Sequence, residues 1–202
     1  FSVNIKQASR LKEPQEFWVD SHTKVLVPML SVTGTLKYKT DASGTFSVME
    51  VPISKTALLV LLQPINGSDL ERVETELPLQ SSAWLQQLSP REIKLMLPEL
   101  TIEGSSDLQE LLADMELPAL LGKGADLSKI SDASLRIGKV VNKAFFKLTS
   151  DGTGQPEDPA AQKEDLAFLE VTLNKPFLLA VFEEKSRAML FLGRVTNPLH
   201  GV

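Results

Sequence analysis

Polar and apolar residues alternate along much of this chain, and the alternation predicts strands more often than helices. Phe1-Ser-Val-Asn-Ile5 alternates from the first residue, as a strand already under way would. Phe17-Trp-Val19 and Lys24-Val-Leu-Val27 read as two short strands around the turn Asp20-Ser-His-Thr23, and Pro28 places the second at an edge or an end. Thr35-Leu-Lys-Tyr-Lys39 and Phe46-Ser-Val-Met-Glu-Val51 flank the turn Asp41-Ala-Ser-Gly44 as a hairpin. Ala57 to Leu62 is apolar on both faces and reads as a central strand. Ser68-Asp69 caps a predicted helix from Leu70 to Leu77, and Ser81 or Ser82 caps a second through Leu88 that Ser89-Pro90 ends.

Ile93 to Leu97 and Leu100 to Ile102 read as strand, bend, strand about Pro98. Gly104-Ser-Ser106 reads as a turn into a helix from Asp107 to Glu116, with Leu108, Leu111, Leu112 and Met115 on one face. Leu120 to Ser134 is rich in turn residues. The segment from Ile137 to Leu148 is apolar-rich. A long acidic loop follows, from Thr149 to Asp165, and then two apolar runs, Phe177 to Phe182 and Ala188 to Leu192. Loops of this length inside a compact domain are commonly functional or disordered. Strands that outnumber short helices, with no βαβ alternation, predict an α+β fold. The expected core is Trp18, Val25, Leu59, Val60, Leu95, Leu97, Leu111, Phe145, Phe177, Leu179, Val181, Leu190 and Leu192.

The 202 residues suit one large domain or two small ones. A net charge of -5, with no cluster of Lys and Arg, argues against a nucleic-acid partner. No apolar run approaches membrane-spanning length, so no membrane partner is expected. Cysteine is absent, which removes disulfides, thiolate nucleophiles and Cys-type zinc sites from this chain. The start in mid-strand, without Met or a leader-like segment, suggests a piece of a longer chain. Asn66-Gly-Ser68 is one N-glycosylation sequon on an expected turn, a weak pointer to secretion.

Candidate chemistry is sparse. The two histidines, His22 in a polar turn and His200 near the end, have no metal-ligand spacing. There is no GxSxG elbow, no GxGxxG and no P-loop; Gly122-Lys-Gly124 precedes Ala-Asp-Leu and reads as a turn. Carboxylates are plentiful, but none is set apart by an apolar pocket signature. The chain is therefore expected to be no enzyme, with no cofactor, no metal and no catalytic residue.

Several stretches together resemble the serpins. Asn174-Lys-Pro-Phe177 before an apolar run is similar to the sequence after the serpin reactive loop. Phe191-Leu-Gly-Arg-Val-Thr-Asn-Pro198 is similar to the carboxy-terminal signature. Ile93-Lys-Leu-Met-Leu-Pro-Glu-Leu100 with Gly104-Ser-Ser-Asp-Leu108 resembles another family stretch; Val27-Pro-Met29, Ala125-Asp-Leu-Ser128 and Lys139-Val-Val-Asn-Lys-Ala144 fall in the family's order. The resemblance implies the serpin fold: a large, antiparallel-rich central sheet with smaller sheets and surrounding helices. This chain would supply roughly the carboxy-terminal half, with residues 1–202 belonging to one domain and a reactive-loop-like segment at about 149–168. The amino-terminal half would be its first partner.

Inhibitory serpins insert the cleaved loop as a new central strand of the large sheet. Their hinge resembles Glu-x-Gly-Thr-Glu-Ala-Ala-Gly-Ala. Gly152 and Thr153 match the start of that hinge, and Gly154, Gln155, Pro156, Glu157, Asp158 and Pro159 stand where the rest of it would be. Pro156 and Pro159 have no N–H to give to a central ladder. Glu157 and Asp158 are neighbours, so any register turns one carboxylate inward. The loop is expected not to insert. Glu13-Pro-Gln-Glu-Phe-Trp-Val-Asp20, Ser89-Pro-Arg91, Asp107 to Ala113 and Glu116 to Ala119 are similar to a non-inhibitory branch of secreted hormone precursors. That likeness implies the protease renin as partner, acting on a tail upstream of Phe1. Two alternatives stay open. One is an inhibitory serpin with its scissile bond near Lys163 or Glu164. The other is an inert serpin with only carrier or binding roles.

Overall fold

The computed structural model describes residues 2–5, 7–40, 44–65, 70–107, 141–151 and 168–199. They fall into two compact units, Phe1–Ile102 with Phe146–Val202, and Glu103–Phe145. The described elements are thirteen strands and one helix.

Three sheets organise them. The first has the order β1-β10-β9, from β1 (Ser2–Ile5), β10 (Val141–Ser150) and β9 (Leu100–Asp107). The second and largest contains β2 (Ser9–Arg10), β5 (Met29–Thr40), β6 (Phe46–Pro52), β7 (Ala57–Pro64), β8 (Ser89–Pro98), β11 (Leu169–Thr172), β12 (Phe177–Glu183) and β13 (Met189–Val195). Its order is β11-β8-β5-β6-β7-β12-β13, with β2 paired to β5 off that path. The third is the hairpin β3 (Gln15–Trp18) and β4 (Lys24–Val27).

Local pattern explains most of these elements. The turn Asp20 to Thr23 closes the third sheet because the Asp20 carboxylate accepts the backbone N–H of His22 at 2.7 Å and of Thr23 at 2.8 Å, an Asx-type turn. β7 is apolar on both faces because it lies between β6 and β12 with both faces covered. Val60 and Leu62 face the helix side, and Leu59 and Leu61 face the opposite cluster. α1 (Leu70–Gln86) lays Val73, Leu77 and Leu85 on that sheet against Phe46, Leu178 and Phe182. Arg194 on β13 ties the helix down through its pairs with Glu74 and Glu71.

Several expectations are corrected. The two short helices are one, Leu70–Gln86, which runs through Pro78. A proline there removes one ladder bond, and burial of the apolar stripe outweighs that loss. Ser89 and Pro90 do not merely end a helix; they open β8. Gly104 to Ser106 is strand, not turn, because β9 continues to Asp107. β10 begins at Val141 and continues through Ser150, so Thr149 and Ser150 belong to a ladder and not to the loop. β11 was not expected at all.

The core list shifts by single residues. Phe17, not Trp18, is fully buried, and Val25 is only partly covered. Phe146 is buried while Phe145 is 46% exposed. Leu190 is exposed and Leu192 is half-buried. In each strand the period of two was legible, but the buried phase was set by the partner strand. Leu59, Val60, Leu95, Leu97, Phe177, Leu179 and Val181 are buried as expected. Leu111, the helix from residue 108 onward, the turn-rich stretch 120–134 and His200 lie outside the described residues.

Candidate functional site: the two anchors of the acidic loop

The loop expected to carry function leaves β10 at Asp151 and rejoins the described chain at Phe168. Its hinge residues Gly152 to Pro159, the scissile candidates Lys163 and Glu164, and the sequon Asn66 lie outside the described residues. The site is therefore built from the loop's two ends.

The first end is set by alternation in β10. Phe146 and Leu148 point inward with no exposure, while Lys147 points out. Phe146 stacks on Phe191 of β13, with ring centroids 4.9 Å apart and planes 18° from parallel. β1 repeats the pattern with Val3 and Ile5 inside. β1 and β10 pair in parallel, Ser2 with Lys147 through Ile5 with Ser150. Thr149 Oγ1 donates to Asn4 Oδ1 at 2.7 Å, and the Asp151 N–H donates to the Ile5 carbonyl at 3.3 Å. β10 thus lies between β1 and β9, and its pairing with β1 runs to Ser150, next to the residue where the loop begins.

The second end is β11, parallel to β8 with Leu169 opposite Ile93 and Thr172 opposite Met96. Gln63 Nε2 donates to the Thr172 carbonyl at 3.0 Å, and the Leu173 N–H donates to the Met96 carbonyl at 2.8 Å. The Trp18 N–H donates to the Asn174 carbonyl at 2.8 Å, which joins the third sheet to this anchor. Phe177 is fully buried, edge-on to Phe17 at 6.5 Å. The Asn174-Lys-Pro-Phe177 stretch therefore fixes the loop's exit.

These contacts hold and align the two ends of the loop. Among the described residues no three His, Cys, Asp or Glu side chains cluster as metal ligands would. His22 lies exposed in its turn, its Nδ1 2.7 Å from the Ser21 hydroxyl. Sequence reasoning missed one buried charge, Glu50 on β6. It is 4% exposed and meets Lys37 Nζ at 2.9 Å and Arg187 Nη1 at 3.2 Å. Its signal was a carboxylate in the apolar-rich run Phe46 to Val51, a type of residue that is buried only when paired.

Residues 6–198 match the model of the family described as Serpin (serine protease inhibitor), and the chain belongs to that family. It is 47% identical to angiotensinogen of Homo sapiens over 200 residues, 98% of this chain, and 49% identical to that of Bos taurus over 201 residues. Serpin A12 of Homo sapiens is 29% identical over 188 residues, 92% of this chain and 45% of that protein. The chain spans 42% of the length of the angiotensinogens it matches. A solved thyroxine-binding globulin in complex with thyroxine superposes with a TM-score of 0.75 at 24% identity, over 97% of this chain and 52% of that one. The mouse protein-Z dependent protease inhibitor superposes with a TM-score of 0.74 at 26% identity, over 92% and 49%. The fold is α+β and forms part of a serpin fold.

Proposed function

We propose that this chain is part of a secreted, non-inhibitory serpin that serves as the scaffold of a hormone precursor of the angiotensinogen type. The observation that carries the reading is the 47% identity with angiotensinogen over 98% of the chain. The hormone peptide lies on a tail upstream of Phe1, renin is the protein partner that cleaves it, and the amino-terminal half of the domain is the other. Asn66 carries a glycan. The molecule has no catalytic residue and takes no cofactor; its work is presentation.

Loop chemistry supports the non-inhibitory half of the proposal. Insertion beside β10 would start with Gly152, Thr153, Gly154 and Gln155 and then meet Pro156, Glu157, Asp158 and Pro159. Each proline forfeits a ladder bond worth about 1 kcal/mol and strands its partner. A carboxylate turned inward costs several kcal/mol more, or must take up a proton. The entering strand would also have to part β1 from β10 across the four pairs Ser2–Lys147 to Ile5–Ser150. Among the described residues no helix is long and apolar enough to cross a membrane, which accords with secretion.

Two incubations of the complete protein test this. Renin should release a short amino-terminal peptide and leave the body intact. Trypsin-like proteases should cut the loop, at Lys163 for example, and depart as free enzyme. A protease adduct that survives boiling in detergent would replace this reading with the inhibitory one, with its scissile bond near Lys163 or Glu164.

A further inference from the structure

A tight turn, Glu183-Glu-Lys-Ser-Arg-Ala188, joins β12 to β13. Trypsin-like proteases cut after Lys and Arg because their specificity pocket holds a carboxylate, and this turn carries one of each, Lys185 and Arg187. Polar turns at the tips of hairpins are preferred sites of nicking, unless hydrogen bonds hold the backbone. Here they do. The Glu183 N–H donates to the Ala188 carbonyl at 2.9 Å, and the Arg187 N–H donates to the Glu183 carbonyl at 3.0 Å. The Ser186 N–H donates to the Glu183 carboxylate, and the Ala188 N–H donates to the Ser186 hydroxyl at 3.2 Å. The Glu184 N–H donates to the Thr56 carbonyl at 2.9 Å, which ties this turn to the one between β6 and β7.

Arg187 is held most firmly. Its backbone is left-handed, φ 58°, whereas a peptide laid along a binding cleft as a strand is extended. Its guanidinium Nη1 donates to Glu50 Oε2 at 3.2 Å, while Glu50 Oε1 accepts from Lys37 Nζ at 2.9 Å. Glu50 is 4% exposed. A buried carboxylate that loses its cation is left at a high cost, so Glu50 opposes any excursion of Arg187. The carboxylate in a trypsin-like specificity pocket seeks the same guanidinium, and the two compete for it. We propose that Glu50 masks Arg187 in an autoinhibitory contact, which keeps the bond after Arg187 closed to trypsin-like proteases.

This inference rests on the turn and its partners and not on cleavage by renin, so failure of one leaves the other standing. The complete protein is digested briefly with trypsin and then denatured, and chains beginning at Ala188 are counted by mass spectrometry. Glu50→Gln keeps the shape and removes the charge; it should speed the cut after Arg187 about 10-fold or more, as the open form gains population. Lys37→Met removes the other cation and leaves Arg187 on Glu50, so its rate should stay within about twofold of the unaltered protein. An unchanged rate in Glu50→Gln would overturn the proposal. An equal rise in Lys37→Met would do so too, since it would report general loosening of the sheet. Should Glu50→Gln fail to fold, Glu50→Met frees the same guanidinium with an apolar side chain suited to a buried position, and the same rates decide.

Discussion

Glu50 lies beneath the sheet surface with Lys37 and Arg187 closing over it, and Arg187 holds a left-handed backbone, φ 58°. A non-glycine residue at positive φ carries local strain; Arg187 does so in the turn before β13, where its N–H donates to the Glu183 carbonyl at 3.0 Å. Glu50→Gln keeps the shape and removes the charge. It should cost about 1–2 kcal/mol, read as a lower urea midpoint with an unchanged slope. Two exposed carboxylates respond to acid. Hydrogen bonds from the His22 and Thr23 backbone hold Asp20 below its usual range, and those from Ser186 do the same for Glu183. Both folded values are depressed, so their contribution is present above the unfolded values, near 3.8 and 4.5, and is lost as pH falls through the lower folded ones. Carboxyl carbon shifts followed by NMR should show both titrating at lower pH in the folded protein than in short peptides of the same sequence. At this scale residue types were legible in the sequence and phase was not: Phe17 and Phe146 are buried where Trp18 and Phe145 were expected, because each pair sits on opposite faces of one strand.

Among elements, β10 and its loop matter most. The fully buried pair Phe146 and Leu148 holds β10 in place, and β1 matches it residue for residue up to Ser150. A cut in the loop should therefore change little. The thermal midpoint of nicked protein is expected within about 3 °C of the intact form, whereas loop insertion would raise it greatly; a scanning calorimeter distinguishes the two. The hairpin of β3 and β4, the central position of β7 and the closing pair β12 and β13 were legible, because turn residues and apolar runs mark them locally. β11 was not legible. Leu169-Glu-Val-Thr172 is short and mixed, and only its parallel pairing with β8 makes it a strand. Nor was the length of α1, since Ser81 or Ser82 read as the cap of a second helix and the chain stays helical through them.

For the whole molecule, the pairing that matters joins distant parts of the chain. Thr149 bonds to Asn4 across 145 positions, and β12 pairs with β7 across more than 100. Such contacts must overcome large loop-closure entropy before they stabilise anything. Refolding of the complete protein by dilution from urea should accordingly take on the order of seconds or longer, followed by tryptophan fluorescence at Trp18 and Trp84.

By itself the sequence determined the strand-rich class, the serpin resemblance through Phe191 to Pro198 and Asn174 to Phe177, and the lack of an N–H at Pro156 and Pro159. These are local properties: side-chain period, turn chemistry and a missing N–H are written residue by residue. Only the tertiary structure decided that β1 lies against β10, that Glu50 has two cations over it, and that Phe146 stacks on Phe191. Each depends on which distant strand arrives alongside and in which register, and no single segment of the chain encodes that.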